Sequence, residues 1–180
     1  MQSRYIHIRT DAYLLLVFML FLIPMRWLLA MALAALVHEA GHWIAIRLVT
    51  GNSSVVTLGM DGARMELPQT TRMQELICAM AGPALGLCLV PLASWMPRVA
   101  LCALVQSGYN LLPIWPLDGG RAAESVLYTI FNPICARRMV KCIRWTCTVV
   151  VCLLGLYGTV ICELGLLPVL LGARILFCRK

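Results

Sequence analysis

The residues most suited to chemistry are His38, Glu39 and His42, which lie close together in a long apolar stretch. Residues four apart share a face of a helix, so both imidazoles can aim a ring nitrogen at one point beside the Glu39 carboxylate. Two histidines at this spacing can bind zinc and leave coordination positions for a third protein ligand and a water. The adjacent carboxylate can take a proton from that water. The pattern therefore predicts a hydrolytic zinc site.

The apolar surroundings of this motif support a metal site over ordinary hydrogen bonding between helices. An ionised side chain at the bilayer centre costs at least about 2.5 kcal/mol and is seldom present without a partner. Here three ionisable groups occupy five consecutive positions, 38–42. His7, by contrast, lies outside the apolar runs and is interpreted as an interfacial residue.

Asp118 is the acidic residue best placed to supply a further ligand. It follows the segment 110–117, which contains two prolines, and it precedes two glycines. Proline removes a backbone donor and kinks a helix, and polar backbone freed at membrane depth is tolerated only against protein or a wet cavity. Such a break can turn the Asp118 carboxylate inward. The alternative from the residues alone is an acid at a helix end that faces the cytosol.

The composition indicates that these residues are positioned by membrane helices. The chain is 61% hydrophobic and 13% charged, with a mean hydropathy of +0.85, whereas soluble domains average about 45–50% and about 25%. A spanning helix needs about 20 apolar residues, and about 17 are tolerated. We therefore expect an all-α polytopic membrane protein with about six transmembrane helices. The predicted spans are 9–23, 27–49, 74–95, 99–117, 145–161 and 164–178; five spans plus a re-entrant or interfacial segment is the alternative.

Two connecting segments are long enough to have a structure of their own. Residues 50–72, after the second span, contain glycines and a β-prone stretch at 55–58, which predicts a hairpin or a loop that dips toward the membrane. The alternative is a flexible connector. Residues 119–144 carry a basic cluster among apolar residues, which predicts an amphipathic helix at the interface that can bind anionic lipid headgroups.

The distribution of charge predicts the orientation in the membrane. The net charge is +7, but the basic residues lie between apolar runs rather than together on a polar face, which argues against nucleic acid as a partner. With six spans, thirteen of the fifteen Lys and Arg residues fall on one side. The positive-inside rule then places both termini in the cytosol. Most of the nine cysteines lie in apolar stretches and are interpreted as small membrane hydrophobes rather than a disulfide framework.

Two motifs together resemble the site-2 protease family of intramembrane zinc metalloproteases. They are the segment Leu36 to His42 (LVHEAGH) and the segment Asn110 to Gly120 (NLLPIWPLDGG). The second segment is especially similar to the stage IV sporulation branch, which cleaves a membrane-associated sigma-factor precursor. Shorter stretches at 6–8, 62–63 and 81–83 are also similar to that branch, so the resemblance extends over nearly the whole chain.

The resemblance implies a complete set of roles. Residues 1–180 would form a single membrane-embedded metalloprotease domain that binds one Zn²⁺ through His38, His42 and Asp118. Glu39 would be the general acid/base, and Asn110 a polar group near the substrate or the developing oxyanion. The expected activity is that of a zinc metalloendopeptidase in a bacterial cell membrane. Its implied partners are the lipid bilayer, a transmembrane or membrane-associated substrate such as a pro-sigma factor, and inhibitory membrane proteins.

A proteolytic function also predicts how the substrate is presented. The carbonyls of a transmembrane helix are hydrogen-bonded, so the substrate must unwind or offer an extended stretch. We expect the loop after the second span, with its β-prone residues Val55 to Leu58, to pair with that strand along an edge.

The sequence departs from the sporulation branch in one respect and leaves other functions open. Members of that branch commonly carry a cytosolic regulatory domain after the last span, whereas this sequence stops at Lys180, so we expect no such domain. The alternative function is a membrane zinc-binding scaffold that sequesters a sigma factor or regulator without proteolysis. A metal transporter is a third alternative. The presence of Glu39 argues against a scaffold, and a single ligand set argues against a transporter.

Overall fold

The structure is a computed structural model that describes residues 6–8, 10–51, 56–59, 62–65 and 70–160. The chain is an all-α membrane protein, as predicted, with a small sheet formed by a strand before the first helix and two strands of the loop after the second helix. It divides into two compact units, Met1–Gly108 and Tyr109–Lys180. That the whole chain is one domain stays a prediction.

The elements of the described residues follow one another in a simple order. The first unit contains β1 (Ile6–Ile8), α1 (Thr10–Leu22), α2 (Met25–Thr50), β2 (Val56–Gly59), β3 (Gly62–Met65), α3 (Arg72–Leu87), a 3₁₀ turn (Val90–Ser94) and most of α4 (Pro97–Asn110). The second unit contains the end of α4, α5 (Asp118–Ile130) and α6 (Pro133–Val160).

Three stretches of the described residues are long and apolar enough to cross a membrane: Met25–Thr50, Arg72–Ser94 and Pro133–Tyr157. The first two coincide with the second and third predicted spans. The helices α1 and α4 have only 13 and 14 residues, fewer than the about 17 that a span needs, so the count of six is not confirmed. The last predicted span, 164–178, lies outside the described residues.

The boundary between α5 and α6 differs from the expectation of one interfacial helix over 119–144. The chain breaks at Phe131 and Asn132, and α6 begins at Pro133. The Asn132 side chain accepts a hydrogen bond from the Cys135 backbone N–H at 2.9 Å, and proline at a first helical position needs no donor, so both residues favour a new helix start. The basic cluster therefore belongs to the first turns of a spanning helix.

The loop after α2 is built on a small sheet. Strands β2 and β3 form the predicted antiparallel hairpin, with Val56 opposite Met65. Strand β1 pairs with β2 in parallel, which the sequence did not predict. Strand β2 is the central strand of this sheet, and pairing of the loop with a substrate stays a prediction. An added strand would have to pair with β1 or β3.

Helices α2 and α3 pack through small residues. The buried face of α2 recurs every three or four positions and consists of Ala30, Ala34, His38, Gly41, His42, Ala45 and Ile46. The large apolar side chains of the same helix, such as Leu29, Leu36 and Leu48, are exposed. Small residues allow close approach of helices in a membrane, and large ones face lipid. The pattern is that of a membrane helix whose buried face is made mostly of small residues and carries two histidines.

Candidate metal centre

The two histidines of the motif lie at the middle of α2 and face the same way. His38 is 13 residues from the Met25 end of the helix, which is about 20 Å at 1.5 Å per residue. His38 and His42 are 2% and 8% exposed. Their Nε2 atoms are 3.2 Å apart. The spacing of four along the helix therefore produces the predicted convergence of two imidazole nitrogens.

The orientation of His42 is set by a backbone group of α3. Its Nδ1 donates a hydrogen bond to the Cys78 carbonyl oxygen at 2.8 Å. A carbonyl only accepts, so the proton is on Nδ1, and the lone pair of Nε2 points toward His38. A ligating histidine typically donates its other ring N–H to a carbonyl or carboxylate in this way.

Glycines make room for this arrangement. A Cβ on Gly82 would overlap the His42 imidazole, so only glycine leaves space for the ring at that position. A Cβ on Gly41 would come within 2.5 Å of the Ala81 carbonyl oxygen, so this glycine permits the close approach of α2 and α3. The close approach in turn brings the Cys78 carbonyl within reach of His42.

The donor atoms of the first unit fit a zinc ion. Two nitrogens bound to tetrahedral zinc at 2.0–2.1 Å are about 3.3 Å apart, close to the 3.2 Å between the two Nε2 atoms. The Cys78 carbonyl stabilises the tautomer that ligation needs. Glu39 follows His38 directly on α2 and is half-buried, so a carboxylate lies beside the imidazole pair in the sequence and in the helix.

Asn110 and Asp118 belong to the second unit and lie on either side of the predicted break. Asn110 is the last residue of α4, and Asp118 is the first residue of α5. The break begins earlier than predicted: α4 ends seven residues before position 117, since Pro113 and Pro116 interrupt the backbone ladder. The peptide bond before Pro116 is cis.

The carboxylate of Asp118 is largely buried. Its side chain is 13% exposed, and its Oδ1 is 4.0 Å from the Arg121 guanidinium. The next two glycines meet the backbone of the preceding segment: a Cβ on Gly119 would overlap the Leu111 carbonyl, and one on Gly120 would come within 2.5 Å of the Ile114 carbonyl carbon. The first turn of α5 therefore needs both glycines to pack. Ligation of a metal by Asp118 stays a prediction.

The sequence did not predict the roles of two residues of the site, Cys78 and Gly82. Cys78 acts through its backbone carbonyl, which every residue type possesses, so no side-chain pattern could mark it. Gly82 stands out in the sequence only as part of the stretch 81–83, and its role is to leave space for the His42 ring. The seven cysteines of the described residues are free thiols.

Comparison with known proteins places this geometry in a known fold. The solved structure of the site-2 protease from Methanocaldococcus jannaschii superimposes with a TM-score of 0.68, over 96% of this chain and 87% of that chain, at 19% sequence identity. The chain has the fold of a site-2 protease. No protein-family model matches the sequence, and a search of curated proteins finds no significant match. The site-2 protease fold is thus recognised through its structure, at an identity where the likeness is one of fold.

Proposed function

We propose that this chain is an intramembrane zinc metalloendopeptidase of the site-2 protease type. The observation that carries the proposal is the pair of Nε2 atoms 3.2 Å apart, with His42 held by the Cys78 carbonyl, on a helix long enough to cross a membrane. The adjacent Glu39 supports a hydrolytic role, and the similarity of fold to a site-2 protease supports proteolysis as the reaction.

The proposed ligands of one Zn²⁺ are His38, His42 and Asp118, which supply two imidazoles and a carboxylate. This donor set suits a catalytic zinc, which keeps one coordination position for water. When bound there, zinc lowers the pKa of its water toward about 7 and polarises a substrate carbonyl.

The remaining steps belong to residues of the chain. Glu39 accepts a proton from the attacking water and returns it to the leaving amine, as a general acid/base does. Asn110 donates a side-chain hydrogen bond to the substrate backbone or to the developing oxyanion. Cys78 orients His42 through its carbonyl and thus preserves the basic Nε2.

The proposed substrate is a transmembrane or membrane-associated protein that presents an extended segment. A pro-sigma factor as substrate, inhibitory membrane proteins as partners, and a bacterial cell membrane as location follow from the sequence resemblance to the sporulation branch and remain predictions. The outer strand β3 is the part of the loop sheet with which an extended segment could pair.

The decisive experiment replaces Glu39 by Gln in the purified chain and in cells that co-express a membrane-bound precursor. We expect zinc content to stay at one per chain while cleavage falls by 10² to 10⁴-fold, the usual contribution of a general acid/base. The matched control is Glu75→Gln, which removes a half-buried carboxylate paired with Arg72 at the start of α3 and should leave cleavage unchanged. Undiminished cleavage by the Glu39→Gln protein would reject the enzyme, and zinc binding without any cleavage by the wild type would favour the scaffold.

A further inference from the structure

The second unit contains a cavity that the proposed proteolysis does not use. It has a volume of about 220 Å³ and is lined by α5, by α6 and by Pro113 and Trp115 of the segment before α5. That volume has room for about seven waters. Its basic residues are Arg137, Lys141 and Arg144, and its acidic residue is Glu124. Leu127, Val140 and Ile143 are among its apolar residues.

The three basic residues lie on one side of α6 and outnumber the acidic residues of the cavity. Positions 137, 141 and 144 recur at four and three residues, so their side chains project from the same helix face. Within the described parts of the chain, none of the three makes an ion pair or a hydrogen bond. With Glu124 counted, the cavity wall keeps a net charge of +2, which suits an anion.

An exposed apolar row continues from the cavity along α6. Trp145, Val149 and Leu153 follow Lys141 at intervals of four residues and are 52%, 49% and 60% exposed. Residues four apart form a ridge along a helix. An anion joined to a long apolar chain would contact both the cavity and this row, whereas a free phosphate would contact the cavity alone.

We propose that the cavity between α5 and α6 binds the phosphate headgroup of an anionic phospholipid, whose acyl chain lies along the Trp145, Val149 and Leu153 row. Basic pockets between membrane helices bind such headgroups. The lipid contacts both helices, since Glu124 and Leu127 come from α5 and the cations from α6. Its binding holds α5 against α6 and so steadies the helix that starts at Asp118.

Native mass spectrometry of the purified full chain tests the proposal with phosphatidylglycerol and with phosphatidylcholine of the same acyl chains. We expect one phosphatidylglycerol per chain, bound at least tenfold more tightly than phosphatidylcholine. Each cation near the surface contributes about a fivefold factor, so Arg137→Gln, Lys141→Gln and Arg144→Gln combined should weaken binding by about 100-fold. The single variant Arg138→Gln removes an adjacent exposed charge that does not line the cavity and should bind as the wild type does, whereas Arg137→Gln alone should not.

A second variant guards against misfolding of the triple variant. Ala123→Phe fills the cavity and leaves every charge in place, and it should lose phosphatidylglycerol binding while keeping the wild-type helix content. Hydrogen exchange of residues 120–128 should slow when phosphatidylglycerol is added to the wild type and not when it is added to Ala123→Phe.

Three results would overturn the assignment. The first is that the chain retains both lipids equally. The second is that Ala123→Phe and the triple variant both retain phosphatidylglycerol. The third is that millimolar inorganic phosphate displaces the lipid completely, which would identify a free-phosphate site. The Glu39→Gln protein should bind the lipid unchanged, so the lipid site and the proposed proteolysis can fail independently.

Discussion

At the scale of single residues, the site depends on an atom that carries no sequence signature. The Cys78 carbonyl oxygen accepts a hydrogen bond from Nδ1 of His42, which leaves the lone pair of Nε2 available to the proposed metal. A histidine whose tautomer and ring orientation are already fixed by a hydrogen bond binds a metal more tightly than one that must first reorient. The HExxH spacing predicts two ligands, and the carbonyl explains why one of them is oriented for the task.

The Gly82→Ala change is expected to displace the His42 imidazole, because the new Cβ would overlap the ring. Zinc affinity should fall by 10 to 100-fold, as for the loss of an orienting contact, and cleavage should fall with it. Zinc content by mass spectrometry measures the first effect directly. The matched control is Gly108→Ala, since a Cβ on Gly108 meets nothing within 4 Å; an equal loss of zinc in both variants would contradict the role of Gly82.

At the scale of elements, small residues determine how closely α2 and α3 pack. Gly41 faces the Ala81 carbonyl, and Ala45, Ile46 and Cys78 form a buried cluster beside it. The Gln74 side chain adds a hydrogen bond to the Val49 carbonyl at 3.4 Å. The pair of helices therefore behaves as one packed element that holds both histidines.

The Gly41→Ala change should push α2 away from α3, because the atoms that its Cβ would meet are backbone atoms that cannot rotate aside. Overpacking of this kind costs about 1–3 kcal/mol, so the midpoint of thermal unfolding in detergent should fall. Gly108→Ala adds the same methyl group in open space and should not lower the midpoint. A Gly41→Ala protein as stable as the wild type would show that the helices are not in close contact.

The start of α6 depends on the Asn132 side chain, which accepts a hydrogen bond from the Cys135 backbone N–H. Asn132→Ala should lower the free energy of unfolding by about 1 kcal/mol, the usual worth of an N-cap. Asn132→Asp keeps an acceptor and should retain the stability. Denaturation of both variants followed by helix content measures the difference, and equal losses would mean that the cap contributes nothing.

At the scale of the whole molecule, the distribution of basic residues predicts the orientation in the membrane. The positive-inside rule places the connection between α2 and α3 in the cytosol and the connection between α3 and α4 on the other side. Reporter fusions after Gly51 and after Met96 test this. Alkaline phosphatase should be active only after Met96 and green fluorescent protein should fluoresce only after Gly51, whereas the reverse pattern would refute the predicted orientation.

The sequence by itself determined the membrane class, the second and third spans, the hairpin in the loop and the pairing of His38 with His42. These features depend on local periodicity: apolar length determines a span, and a spacing of four residues places two side chains on one helix face.

Only the tertiary structure decided how the site is held. Three features are contacts between distant segments: the hydrogen bond from His42 to the Cys78 carbonyl, the space at Gly82 and the pairing of β1 with β2. A single sequence does not display such contacts, because a backbone carbonyl or a missing Cβ acquires its role only from the neighbour that the fold brings to it.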